Sequence, residues 1–191
     1  MKKQDLRKIY KTKRGQLTAN DIEENSISIA NQVLQLPIWE MENYHLFLPI
    51  EHQNEVDTNY LLQILQGRDK NVVISKSDFS TTSMKHYLLT DATKLVVNQW
   101  GIPEPENGFE VLPTQIDVVF LPLLAFDLKG NRVGYGKGFY DQFLSECKSE
   151  VVKIGLSFFE AEELIEDAHP SDVPLDYCIT PQEIYTFSQE K

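Results

Sequence analysis

"IDVVFLPLLAFDLKGNRVGYGKGFYDQFLSEC", residues 116–147, joins the most apolar run of the chain to a turn, three alternating glycines and a helical pattern. The run at 116–127 scarcely alternates between apolar and polar, as expected of a central strand buried on both faces. "KGN" at 129–131 makes the turn after it, and "YDQFLSEC" at 140–147 has helical spacing. Between them stand Gly134, Gly136 and Gly138, with Arg132 and Lys137 threaded among them. Each glycine costs a regular element roughly 0.5–1 kcal/mol relative to alanine. The segment is therefore read as a loop that takes positive φ angles or lets something approach its backbone.

Working outward, "YHLFLPI" (44–50), "NVVIS" (71–75), "VVKIGLSF" (151–158) and "DYCIT" (176–180) are expected as strands, the last of them closing the chain's sheet. Helices are expected over 3–14, from Thr18 or Asn20 toward Pro37, over 54–68, and in "EAEELIEDA" at 160–168. "MKHYLLT" (84–90) and "KLVVNQW" (94–100) suit either further strands or an irregular hairpin. Alternating strands and helices predict an α/β fold, a single three-layer domain over 1–191 with a mostly parallel central sheet flanked by helices. The glycine loop then lies at the carboxyl edge of the sheet, where open α/β folds bind ligands.

Composition narrows the ligand. Of 191 residues, 29 are acidic and 18 basic, giving a formal net charge of −11, the wrong balance for a general nucleic-acid binder. Seven of the basic residues fall in the first 14 positions: Lys2, Lys3, Arg7, Lys8, Lys11, Lys13 and Arg14. They read either as a solvated helix face or as a local site for a small anion. Positions 3, 7 and 14 share one face at ~100° per residue. No run approaches the ~18 apolar residues of a membrane span. The basic N-terminus has no apolar segment behind it, and Cys147 and Cys178 form no metal-type pair, so a reduced cytoplasmic setting is expected; a monomer is expected as well. Glycines here would let backbone N–H groups meet phosphate oxygens, with Arg132, Lys137 and a helix N-terminus adding positive charge. The spacing matches neither the dinucleotide fingerprint nor the Gly-Lys-Ser/Thr ending of the nucleotide-triphosphate loop.

The pattern Arg-x-Gly-x-Gly-x-Gly-[Tyr/Phe]-Tyr-Asp, from Arg132 to Asp141, resembles the signature of the 5-formyltetrahydrofolate cyclo-ligase family. "KQDLRK" (3–8), "NEVDT" (54–58), "WGIPEP" (100–105), "LPLLAFD" (121–127) and "HPSDVPLD" (169–176) are similar to further family elements, in the same order. The resemblance implies conversion of 5-formyltetrahydrofolate and ATP to 5,10-methenyltetrahydrofolate, ADP and phosphate, with Mg2+. It implies that Lys3, Arg7 and Arg14 hold ATP phosphates. Arg132 and Lys137 would clamp the transferring group while the backbone of Gly134, Gly136 and Gly138 cradles it. Asp141 and Asp172 would be the magnesium ligands, Glu55 and Ile50 would meet the folate, and Tyr140 would touch both substrates.

Plainer readings stand beside these. Asp141 could cap its helix, Asp172 could be a turn residue, and Glu55 could be an ordinary helix-start carboxylate. Phe126, His86 and Trp100 could line the folate pocket, but no spacing argument supports that and core packing is the better reading. A sugar-phosphate isomerase-like enzyme or a non-catalytic nucleotide-sensing module would share the architecture. The N-terminal cations, enough for more than one phosphate, argue against the isomerase.

Overall fold

The computed structural model describes residues 1–187. The chain begins with helices α1 (Lys3–Gly15) and α2 (Ala19–Val33), then strand β1 (Asn43–His45), helix α3 (Asn59–Gly67) and strand β2 (Asn71–Asp78). Strands β3 (Ser83–Leu88), β4 (Leu95–Val97), β5 (Pro103–Pro105), β6 (Val118–Pro122), β7 (Ala125–Phe126) and β8 (Arg132–Val133) follow. Helix α4 (Phe139–Glu146) and strands β9 (Val152–Leu156), β10 (Tyr177–Ile179) and β11 (Ile184–Thr186) complete it. Seven strands form one sheet in the order β11-β10-β9-β6-β1-β2-β3. Its five inner strands are parallel, and β3 and β11 add antiparallel edges. Two ribbons, β4–β5 and β7–β8, stand apart from it.

Both faces of the sheet are covered, which is why β6 is apolar throughout. Val118 and Phe120 pack with Ile29 and Val33 of α2 and Leu61 and Leu65 of α3. Val119 and Leu121 turn to the other face and meet Phe143 and Leu144 of α4. Each such side chain taken out of water contributes roughly 1.5–3 kcal/mol. Leu6 and Tyr10 of α1 form a third cluster with Leu124, Ala125, Val133 and Ile165, so α1 rests on the β7–β8 ribbon. Thr18 starts α2 with a capping box to Asp21.

The chain departs from the sequence reading in four places, each for a local reason. The run 116–127 is two strands, because the sheet ladder stops at Pro122 and β7 turns away to pair with β8. "EAEELIEDA" is not a helix. Its backbone is taken by neighbours: Glu162 N donates to Phe126 O, Leu128 N donates to Glu162 O, and Ile165 N donates to the Asp127 carboxylate. Residues 54–58 precede α3 instead of opening it, since the Asp57 amide is held by Ser26 and the Thr58 hydroxyl by Phe47 O. Finally, β10 is followed by β11, which pairs with it.

Chain order places the functional crevice. From β1, the chain crosses through α3 on one face to reach β2; from β6, it crosses through α4 on the opposite face to reach β9. The loops after β1 and β6 therefore diverge between adjacent strands. Such a switch point leaves an opening at the carboxyl ends of the strands.

Candidate active site

A cavity of about 400 Å³ occupies that opening. Leu46, Ile50, His52 and Glu55 line it from the loop after β1, Gly134 to Asp141 line it from the other side, and Lys3, Arg7 and Asp172 close one end. The glycine loop reaches α4 through two left-handed residues, Gly136 at φ +89° and Gly138 at φ +76°. A side chain at Gly136 would also crowd a neighbour, because its Cβ would sit 3.1 Å from Arg7 Cζ. Gly138 is the N-cap of α4 and no side chain caps that end, so the first amides of the helix are open to the cavity.

Four cations stand around this loop in three different situations. Arg7 Nε donates to Gly134 O at 3.0 Å, which lays its guanidinium along the glycines. Lys3 pairs with the Asp172 carboxylate. Arg132 donates to Val173 O and to Asp141 Oδ1, the latter at 2.7 Å, and is itself buried. Lys137 is exposed at the cavity wall and has no ion pair among the described residues. Arg14 is placed differently from the sequence expectation. It is buried outside the cavity, with Nη1 and Nη2 donating to the Tyr135 hydroxyl at 3.0 and 3.1 Å and Nε donating to Asn54 O.

The two candidate metal ligands lie along one seam. Val173 N donates to Asp141 Oδ1 at 3.3 Å, so the Asp172 segment runs against the start of α4. Burial works to raise the Asp172 pKa, but Lys3 and the His169 amide outweigh it and hold the carboxyl below its usual range. All contacts of Asp141 go through Oδ1 and all those of Asp172 side-chain oxygens through Oδ2. Each thus keeps an oxygen with no protein partner among the described residues. Two such oxygens suit an ion that takes few protein ligands and keeps its waters. No group of three or more acidic, histidine or cysteine residues arranged for a metal occurs among the described residues. Asp141 does not cap α4; its carboxylate is engaged with Arg132 and Val173 instead.

Opposite the loop, Glu55 is buried and accepts from Ile50 N at 2.8 Å and from the Tyr135 hydroxyl at 2.6 Å. Burial pushes its pKa up, opposed by those two donors and Arg14. It is a carboxylate facing an apolar cavity, suited to a ligand edge rich in N–H donors. Tyr140, in the first turn of α4, also lines the cavity, and burial pushes its phenol up. Below it, Ser75 Oγ lies 2.8 Å from both His45 Nε2 and His86 Nδ1.

A family model described as the 5-formyltetrahydrofolate cyclo-ligase family matches residues 1–181. The chain belongs to the 5-formyltetrahydrofolate cyclo-ligase family. A cyclo-ligase from Haemophilus influenzae is 35% identical, the match covering 82% of this chain and 86% of that one. One from Mycoplasma genitalium is 30% identical over 93% and 96% of the two chains. The solution structure of Aquifex aeolicus 5,10-methenyltetrahydrofolate synthetase superposes with a TM-score of 0.83 at 30% identity, over all of this chain and 95% of that one. No helix among the described residues is long and apolar enough to cross a membrane.

Some residues lining this cavity were missed or misjudged by the sequence reading. Tyr135 is the plainest, an aromatic between two glycines whose hydroxyl no spacing rule anticipates. Trp100, expected in the core, is 53% exposed and lines the cavity mouth, with Phe79 5.4 Å away and Phe139 beyond it. Its place beside Gly101 and Pro103 was the available signal, since turn residues put a tryptophan at a surface. His86 and Phe126 are core residues, as expected.

Proposed function

We propose that this chain catalyses the ATP-dependent conversion of 5-formyltetrahydrofolate to 5,10-methenyltetrahydrofolate, acting as a monomer on these two small molecules. The observation that carries the reading is one cavity with two unlike walls. One wall has glycine amides, an uncapped helix start and cations; the other has Glu55 among apolar side chains. The first suits a phosphate chain and the second a flat heterocycle with N–H donors.

The formyl oxygen is a poor leaving group. Passing the γ-phosphoryl of ATP onto it releases ADP and leaves carbon open to attack by N10 of the same substrate. The N10–C bond forms, the C–O bond breaks, and phosphate departs with the oxygen while N10 gives up its proton. Phosphoryl transfer asks mainly for positioning and neutralised charge. Lys137, free of carboxylate partners among the described residues, is the cation assigned to the moving phosphoryl, with the amides of Gly134, Gly136 and Gly138 and the start of α4. Arg7 and Lys3 hold the rest of the phosphate chain; Arg132 acts through Asp141 and Val173. Glu55, Ile50 and Tyr140 seat the folate. Asp141 and Asp172 would hold Mg2+ through their open oxygens, and that ion would offset phosphate charge.

The test is absorbance of the methenyl chromophore on mixing purified protein with 5-formyltetrahydrofolate, with and without ATP and Mg2+. Growth of the chromophore only with ATP supports the reading. ATP hydrolysis that ignores the folate would overturn it.

A further inference from the structure

Tyr135 sits inside the glycine loop, and its hydroxyl is where three separated parts of the chain meet. Two lone pairs and one proton are all a phenol offers. Arg14 of α1 donates to it twice, at 3.0 and 3.1 Å, and it donates to Glu55 Oε1 at 2.6 Å. The hydroxyl is saturated, so it has nothing left for a ligand. The rest of the knot is equally tight. Glu55 Oε2 is held by Ile50 N, Arg14 Nε reaches Asn54 O, and Asn54 Nδ2 returns to Arg14 O at 2.9 Å. The side chains of Arg14 and Glu55 are 6% and 3% exposed.

One end of this knot is the carboxylate of the apolar wall; the other is a residue flanked by Gly134 and Gly136, the backbone of the phosphate wall. Besides Tyr135, the side-chain hydrogen bond to this stretch among the described residues is Arg7 on Gly134 O. A loop so rich in glycine loses much conformational freedom when ordered. Whatever fixes Glu55 fixes Tyr135, and with it the loop.

We propose that Tyr135 is a positioning residue that couples the two substrates: a folate seated on Glu55 orders the glycine loop for ATP, and ATP on the loop orders Glu55 for folate. The inference rests on the assignment of the two walls to those substrates. A first ligand bears the ordering of the loop and the second is spared it, so each tightens the other by the same factor. A knot serving stability alone would shift melting temperature and both single affinities, but not the ratio between affinities measured with and without the other ligand.

The experiment is calorimetric titration of a non-hydrolysable ATP analogue with Mg2+ into the protein, alone and with saturating 5-formyltetrahydrofolate, and the converse titration. Wild type is expected to bind each ligand roughly tenfold more tightly in the presence of the other, within the usual range of such couplings. In Tyr135→Phe that factor is expected to fall to about one or two, with the two converse titrations agreeing. No coupling in wild type, or undiminished coupling in Tyr135→Phe, overturns the proposal. If Tyr135→Phe does not fold by circular dichroism, Arg14→Lys, which replaces two donors by one point charge, is expected to weaken the coupling; an unchanged factor there also overturns it. Wild type that binds neither ligand and forms no methenyl chromophore refutes the substrate assignment itself, and the coupling falls with it.

Discussion

Lys137 and Arg132 flank the same glycines but have opposite surroundings, and their substitutions should separate cleanly. Lys137→Ala removes an exposed side chain with no ion pair among the described residues. Turnover should fall by roughly 10²–10³-fold, the usual loss for one donor to developing charge, while the melting temperature stays put. Arg132→Ala instead leaves Val173 O without its side-chain donor and Asp141 with only the Val173 amide, having lost its cation. Loss of one partner from a buried pair costs ~3–5 kcal/mol. Asp141 is 39% exposed, so on the order of 2 kcal/mol is expected here, read as a lower denaturation midpoint. Equal melting curves for the two variants would remove the distinction. Asp141→Asn keeps the shape, loses the charge and should raise the Mg2+ concentration needed for half-maximal turnover; a mere helix cap would tolerate asparagine. The sequence displayed the residue types of the phosphate wall because charge and glycine spacing are local. It could not display which cation is free, because Arg132 finds its partners nine and 41 positions away.

Among the elements, α1 divides its cations between two tasks. Arg7→Met should raise the ATP concentration at half-saturation with little loss of stability, whereas Lys3→Met should raise it and also lower stability, because it strips the Asp172 carboxylate, 19% exposed, of its cation. Arg14→Met should chiefly cost stability, since it strips the Tyr135 hydroxyl of both donors and buried Glu55 of the guanidinium 4.0 Å away, lowering it by about 3 kcal/mol in a denaturant titration. Helical spacing put 3, 7 and 14 on one face correctly; it carried no information on what each turn of that face meets. Across β1, β2 and β3, the His45–Ser75–His86 chain gives a pH prediction. Burial lowers both imidazole pKa values, that of His86 to about 4, and His45 Nδ1 and His86 Nε2 have no partner among the described residues. The unfolded chain, with histidine near ~6.5, takes up protons first as pH falls. Stability is therefore complete above about 6.5 and declines toward pH 4, by about 2 kcal/mol for His86 at pH 5. Denaturant midpoints at pH 7 and pH 5 should show the drop, and His86→Gln should flatten it. A slope indifferent to that change would place the acid sensitivity in other groups.

For the whole molecule, the α/β class and the parallel sheet were legible because strand and helix periods are written in short windows. The segment 160–168 was misread for the converse reason. Its helical pattern is outweighed by hydrogen bonds to Phe126, Asp127 and Leu128, which no window of its own sequence contains. The cavity is an extreme of the same kind: Lys3 meets Asp172 across 169 positions, Tyr135 meets Glu55 across 80, and Arg14 meets Tyr135 across 121. During synthesis, at ~5–20 residues per second, α1 waits on the order of ten seconds for the segment that completes its pairings. Until the Asp172 segment emerges, one end of the cavity stays open. The interleaving of α1 with the Asp172 segment makes the cavity all-or-nothing in time, closed only when the later segment arrives.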